Sequence, residues 1–368
     1  MTPLSASRIK TAESCSWLYY CGYKLRMPNP GNDGSSRGTI CHLIFECLGN
    51  PRHKHTYDKL IEKGSVFASD SIKRLILKHA TVLGVDDEEN MQSMDDMIMN
   101  GLRYDFFGGE RQENGELPDE GISEKDFDII VDREDGVRYR VRGFIDKLFL
   151  YKKQGLAVIR DFKSSKKTFE GKELEDNLQD LTYGLAVRFI YPEYLKRRSE
   201  FLFLKFEMDD QNVEGSDGVA YMEERSEDDT DGFELYLSEV QKYVDGFNEK
   251  TAVGNFAKHK YGGGFPKDGS FSGKLQCGCF CKFHGQRKKS DGSVMWHCNY
   301  RFARDYLVLI NSETNETIKS VFIEDAEELF SIQDKMKQSS RIEERHYDGC
   351  PAWKSDPDNT SSVEIPTR

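Results

Sequence analysis

Nothing in the 368 residues is a run of about 18 apolar side chains, so no membrane-spanning helix is expected. The opening, MTPLSASRIK, has no apolar h-region, which argues against a secretory leader. Basic charge is in the minority, with 52 Lys and Arg against 64 Asp and Glu and a net charge of −12. That balance excludes a histone-like protein that coats nucleic acid, yet it leaves room for a local basic groove on an acidic surface. There is no repeat of fixed period. A complete ATP-binding fingerprint is missing too. GSFSGKL at 269–275 has too short a spacing and carries Leu where Ser or Thr should follow the lysine.

Aromatic side chains are plentiful: 23 Phe, 17 Tyr and 3 Trp are enough for a sizeable core and argue against a wholly disordered chain. The length suits one large domain or two ordinary ones. Nine cysteines with no export signal read as metal ligands or buried thiols before disulfides, and the expected location is a cytoplasm, or a host cytoplasm or nucleoid for a viral protein. Hydrophobic periodicity predicts helices over 5–23, 39–48, 59–83 and 88–104. The period then shortens to that of strands at 127–133, 138–151 and 156–162, with REDG and KKQG as turns. A helix at 176–191, a strand at 201–207, a long acidic loop over 207–231 and a helix at 234–249 follow. A further helix is expected in NYRFARDYLVLI (299–310). Residues 311–368 carry 13 acidic and 7 basic residues and read as an acidic extension with one helix at 323–345 and a frayed end. The expected fold is α/β, with a mixed central sheet flanked by helices.

The chemistry concentrates on two neighbouring strands. Asp146 lies in GFIDK; Asp161 and Lys163 lie in IRDFKSSK, at the end of the next strand. The short YKKQG connection predicts a hairpin that brings Asp146 and Asp161 together, and alternation points Asp161 and Lys163 to one side while Phe162 faces the core. Two carboxylates with a lysine suit phosphodiester hydrolysis. Carboxylate oxygens hold Mg²⁺ or Mn²⁺, and the lysine orients or helps deprotonate water and offsets phosphate charge. The plain alternative is a pair of surface carboxylates beside a solvated lysine. Gln179 and Tyr183, at i and i+4, share a helical face, either to meet substrate or simply to pack. His42, in RGTICHLIFE, is a reasonable further ligand or a satisfied core histidine.

Taken together, Gly143-x-x-Asp146, Asp161-x-Lys163 and Gln179-x-x-x-Tyr183, preceded by the His42 helix, resemble the PD-(D/E)XK nuclease superfamily, and more narrowly its RecB-like, Cas4-like and AddB-like members. LSASRIKTAESCSWLYY resembles the N-terminal helix of that group, and the likeness extends over about Leu4 to Tyr306. The resemblance implies a restriction-endonuclease-like core. It implies Asp146, Asp161 and Lys163 as catalytic residues, with His42, Asp146, Asp161 and the Phe162 carbonyl around Mg²⁺ or Mn²⁺ and Gln179 and Tyr183 on the substrate. It also implies a deoxyribonuclease, expected to be an exonuclease at DNA ends or single strands in recombination, replication or repair, with a helicase or recombinase as a separate partner. The domain reading is a nuclease domain over 1–310, with a helical N-terminal region over 1–125, a catalytic core over 126–250 and a cysteine region over 251–310, followed by the extension 311–368.

Cys277, Cys279 and Cys281 in QCGCFCKFHG and Cys298 in WHCNYR are spaced densely enough for a soft metal. By the resemblance, Cys15, Cys277, Cys281 and Cys298 hold a [4Fe–4S] cluster that staples the chain ends, with Cys279 an alternative ligand. The C-x-C-x-C spacing departs from the family's C-x₂-C and keeps Zn²⁺ open, with His284 and His297 nearby in sequence. Cys21 is a reserve for Cys15, Cys41 and Cys47 read as core thiols, and Cys350 as idle. Basic clusters at Lys163, Lys166 and Lys167, at Lys258 and Lys260, and at Arg287, Lys288 and Lys289 either track a phosphate backbone or lie on solvated loops. Trp17, Tyr19, Tyr20 and Tyr23 read mostly as core. The competing reading is a DNA-binding or assembly subunit that keeps the fold and uses its thiolate cluster structurally.

Overall fold

The computed structural model describes residues 1–29, 31–109, 116–169, 171–208, 218–254, 298–300, 302–336 and 339–350. In chain order the helices are α1 (Ala6–Ser14), α2 (Ser16–Tyr19), α3 (Asp33–Gly49), α4 (Lys54–Lys63), α5 (Asp70–Leu83), α6 (Glu88–Arg103), α7 (Lys172–Glu175), α8 (Leu178–Ile190), α9 (Glu227–Asp245), α10 (Glu249–Gly254) and α11 (Ala326–Lys335). The strands are β1 (Glu120–Asp132), β2 (Arg138–Tyr151), β3 (Leu156–Lys163), β4 (Lys196–Phe203), β5 (Val219–Tyr221), β6 (Arg304–Asn311), β7 (Thr317–Phe322) and β8 (Ser340–Tyr347). They divide between two compact units, one of residues 1–6 and 31–245, the other of residues 7–30 and 246–368.

The first unit is built on a five-stranded sheet in the order β1-β2-β3-β4-β5. All pairs are antiparallel except β3 and β4, whose parallel crossover carries α8. This is the mixed sheet flanked by helices that the sequence predicts. The β2–β3 hairpin turns through Gly155 at φ 59°, which a residue without Cβ adopts most readily. β3 is buried over all but its last residue, as a central strand covered on both faces should be. Leu4 makes a parallel bridge to Val141 beside β2.

The main core packs α3, α5 and α6 with the ends of β3 and β4. Ile40, Ile44, Leu48, Ile76, Met94, Ile98 and Leu102 meet Phe162, Leu202 and Leu204 there. α3 is fixed at its start by a reciprocal capping box between Asn32 and Ser35, which satisfies two otherwise orphaned N–H groups. The single helix expected over 59–83 is two, because Gly64 ends α4 in the left-handed conformation (φ 70°) and Ser65 opens a new turn. β1 starts at Glu120, seven residues before the predicted boundary. Its first half is only half-buried and has no clean alternation to announce it. β4 likewise begins at Lys196, ahead of the expected 201, because its charged opening KRRSE hides a strand. The expected acidic loop contains β5 and the first turn of α9.

In the second unit the expected helix over 5–23 is broken at Cys15, whose backbone is extended and whose sulfur accepts the Leu18 N–H at 3.4 Å. NYRFARDYLVLI is not a helix: residues 304–311 form β6, centre of a sheet in the order β7-β6-β8. The β-branched and aromatic content of DYLVLI suits a strand. The helix expected over 323–345 stops at Lys335, and SRIEERHY becomes β8, paired along its whole length with β6. Among its described residues the acidic extension thus supplies β7, α11 and β8 around β6, with Leu309, Val321 and Leu329 as the core.

Candidate active site

Asp146 and Asp161 sit on adjacent strands. The paired register of β2 and β3 runs from Tyr151↔Leu156 to Lys147↔Arg160 and stops before them. In place of a backbone ladder, Asp146 Oδ2 accepts the Phe162 N–H at 2.8 Å. The side chain thus stands in for a strand partner at the point where pairing ends. α3 supplies His42, whose Nε2 lies 3.1 Å from the Phe162 carbonyl oxygen and whose Nδ1 lies 3.3 Å from Asp146 Oδ1. Phe162 itself is buried and stacks on Phe45 of α3 with ring centroids 4.2 Å apart, which locks this helix to the strand.

Asp161 is held from the other side by α8. Asn177 caps that helix through the Gln179 and Asp180 N–H groups at 3.0 and 3.2 Å. Gln179 Nε2 donates to Asp161 Oδ1 at 2.6 Å, the Tyr183 hydroxyl donates to the same oxygen at 3.0 Å, and Gln179 Oε1 accepts from Lys163 Nζ at 2.6 Å. Lys163 Nζ also faces Asp161 Oδ2 at 2.5 Å, as a charge contact without an aligned hydrogen bond. Two groups therefore form: His42, Asp146 and the Phe162 backbone, and Asp161, Lys163, Gln179 and Tyr183. Phe162 joins them. All seven residues singled out for this site in the sequence are in it.

Glu124 is the residue that the sequence reading missed. Ser123 pairs with Lys147 and Lys125 with Ile145, so Glu124 stands opposite Asp146. Its backbone is left-handed, φ 51°, a conformation that costs a non-glycine residue on the order of 1 kcal/mol. Strain of that kind is concentrated at functional sites. One ligand atom from each of His42, Glu124 and Asp146 lies within 4.8 Å of the others. A single divalent ion with oxygen and nitrogen ligands at about 2.1 Å needs donors about 3–4 Å apart, so this donor set fits one with small side-chain movements.

The electrostatics match a site short of positive charge. Burial and the nearby Asp146 push Asp161 up to about 6, against the pull of Lys163. Burial and Asp146 also raise Glu124 to about 6. Burial works to lower His42, but its hydrogen bond to Asp146 and the surrounding carboxylates outweigh it and lift the imidazole to about 9. Burial, with Asp161 beside it, raises the Tyr183 hydroxyl well above its ordinary value, so it remains a hydrogen-bond donor.

Of the cysteines, Cys277, Cys279 and Cys281 lie outside the described residues, as do Lys258, Lys260, His284, Arg287, Lys288, Lys289 and His297. Cys15, Cys21, Cys298 and Cys350 all belong to the second unit. The buried Cys21 thiol lies 3.5 Å from the Tyr347 hydroxyl, which also accepts the Trp17 indole N–H at 2.7 Å and donates to the Tyr300 carbonyl at 2.5 Å. Burial, then the neighbouring Cys298, Cys350 and Cys15, raises Cys21 far above an ordinary thiol. Cys350, expected to be idle, is thus part of the same neighbourhood. Cys41 is buried in the first unit's core as expected, whereas Cys47 is half-buried against it.

A mixed sheet whose central strands carry two carboxylates and a lysine, flanked by a histidine, is an arrangement that could hold a divalent ion beside a phosphodiester. A family model described as the PD-(D/E)XK nuclease superfamily matches residues 3–278, most of the chain, and the chain belongs to that superfamily. No curated protein matches it. Among the described residues no helix is long and apolar enough to cross a membrane.

Proposed function

We propose that the chain is a divalent-metal-dependent deoxyribonuclease acting as an exonuclease on DNA ends or single strands, in recombination, replication or repair. The observation that carries the nuclease reading is the convergence of Asp146, Asp161, Lys163 and His42 around the Phe162 peptide. The exonuclease mode and the DNA-end preference rest on the RecB-like resemblance of the motifs. Asp146, Asp161, the Phe162 carbonyl and His42 would hold Mg²⁺ or Mn²⁺, with Glu124 completing the set. When bound, the ion supplies Lewis acidity at the phosphate and a more acidic water.

The chain's own residues do the rest. Lys163, tethered by Gln179, presents an ammonium that orients the attacking water and offsets phosphate charge. Gln179 and Tyr183 bond to Asp161, and this keeps its carboxylate turned toward the site. Their roles therefore include positioning as well as contact with substrate. Single-turnover cleavage of end-labelled single-stranded DNA with Mn²⁺ tests the reading. Asp161→Ala and Lys163→Ala should each reduce the rate by at least about 10³-fold with the fold retained, as expected when charge stabilisation is removed from a buried site. Wild-type rates in both would refute it. EDTA should abolish cleavage.

For the second unit the proposal is a thiolate centre, a [4Fe–4S] cluster or Zn²⁺, with Cys15, Cys277, Cys281 and Cys298 as ligands and Cys279 as the alternative. The support is that Cys15 and Cys298, far apart in the chain, fall in the same compact unit as the buried Cys21. Iron and zinc analysis of anaerobically purified protein, with the visible spectrum, distinguishes the two metals. A metal-free protein would rule the centre out.

A further inference from the structure

A second constellation in the first unit lies beside the acidic one and carries the opposite charge. Arg37 stands on α3, five residues before His42, a rise of about 7.5 Å along the helix. A Cβ on Gly38 would come within 2.8 Å of Ser164 Oγ, so this turn of α3 lies directly against the SSKK segment that follows β3. The chain leaving β4 reaches the same place, because the Leu204 N–H donates to the Lys163 carbonyl at 2.9 Å. Lys205 is the next residue. Asn100 Nδ2 donates to the Leu204 carbonyl at 3.0 Å and fixes that turn from α6.

Arg37, Lys166 and Lys205 thus converge from a helix, a loop and a strand end. Their positive charges act on one another: burial, then Arg37 and Lys166, holds Lys205 below an ordinary lysine. Among the described residues none of the three forms an ion pair. Arg37 bonds instead to the neutral Asn90 side chain, whose amide nitrogen reaches on to Asp87, and Arg37 Nε is buried without a partner. Arg37 and Lys205 are half-buried and Lys166 is exposed, and like charges gathered there with no counter-ion among the described residues favour an incoming anion. Lys163 links this place to the candidate active site, for its side chain faces Asp161 and its carbonyl holds the Leu204 turn.

We propose that Arg37, Lys166, Lys205 and the Ser164 hydroxyl form a seat for a DNA backbone phosphate next to the scissile one. The seat sets the register of a single strand across the site. This inference rests on the nuclease reading. It adds binding residues from three elements that the catalytic motif does not include.

The test uses the full chain. Binding of a fluorescent single-stranded oligonucleotide is measured by anisotropy across a KCl series in an Asp161→Asn background, which keeps the DNA intact. Arg37→Gln and Lys205→Gln should each weaken binding about five-fold at low salt and reduce the slope of log K against log [KCl] by about 0.7. Unchanged affinity and slope in both variants would overturn the seat. A fall in melting temperature without a change in slope would assign Arg37 a structural role only and would equally overturn it.

A second readout uses an otherwise active chain and oligonucleotides with one neutral methylphosphonate linkage. Wild-type cleavage should be blocked next to that linkage, and Lys205→Gln should be indifferent to it. Equal blocking in both proteins would refute the seat. Absence of DNA binding and cleavage in the unmutated chain would instead sink the nuclease reading, and the seat with it. Comparing 5′-phosphorylated with 5′-hydroxyl oligonucleotides separates the two sources of phosphate. The seat predicts equal affinity for both, and dependence on the terminal group would overturn it as a backbone contact.

Discussion

Lys147 shows how closely a single residue can border the site without belonging to it. It follows Asp146 in β2, is only 3% exposed, and its ammonium makes no hydrogen bond among the described residues. It lies over the Phe106 ring, 3.6 Å from the centroid, which returns part of the lost hydration. Burial, with Arg160 adding to it, lowers this lysine to about 7. A folded-state value below the unfolded one means that the charged form is penalised in full below pH 7. The penalty disappears as pH rises toward the ordinary lysine value. Lys147→Met should therefore stabilise the protein by about 1–3 kcal/mol near pH 6. Urea unfolding at two pH values checks it: the gain should shrink at pH 9, and a loss of stability at both would contradict the argument. Asp161, Lys163, Gln179 and Tyr183 were legible at this scale because their spacing is itself the signal. Glu124 was not, since its importance comes from a cross-strand register that the sequence period did not extend far enough to reach.

Among the elements, α8 bears most directly on the site, since Gln179 and Tyr183 both project from it. Its start depends on Asn177, whose side chain accepts two N–H groups that would otherwise be orphaned. Asn177→Ala should cost about 1 kcal/mol of stability. It should also lower the cleavage rate more than Mn²⁺ affinity, because the Gln179 tether on Lys163 loosens while, of the proposed ligands, only Asp161 is held from α8 and Asp146, Glu124 and His42 stay fixed. Equal loss in rate and metal affinity would show that α8 does not set the lysine. The strands that bear the carboxylates were readable because β2 and β3 are apolar and joined by a tight turn. β6 and β8 were not, since NYRFARDYLVLI and SRIEERHY mix charge with apolar residues. Their state is decided by pairing with each other rather than by local period.

At the proposed metal site as a whole, proton and metal would compete. Asp161, Glu124 and His42 all have folded-state values above their unfolded ones. Each therefore adds stability to the metal-free protein at low pH and loses it as pH rises, the carboxylates through about 6 and His42 through about 9. A divalent ion needs all three deprotonated. The rise in melting temperature produced by Mn²⁺ over EDTA should consequently be larger at pH 8.5 than at pH 6.5. A shift independent of pH would mean that these three groups do not receive the ion. The mixed sheet and the pairing of β2 with β3 follow from the motif pattern. The second unit does not, because its core joins segments that are far apart in the chain.

That discontinuity has a consequence during synthesis. The chain begins in the first unit, where Leu4 pairs beside β2, crosses to the second for residues 7–30, and returns for residues 31–245. A ribosome thus delivers every strand of the sheet that bears Asp146 and Asp161 before it has made β6, β7 or β8. The segment holding Trp17 and Cys21 must wait, without the Tyr347 hydroxyl that it bonds to, until the last strand has emerged. The strands of the nuclease core are all made before those of the second sheet, and the N-terminal segment meets Phe247 and Ala252 before it can meet Tyr347.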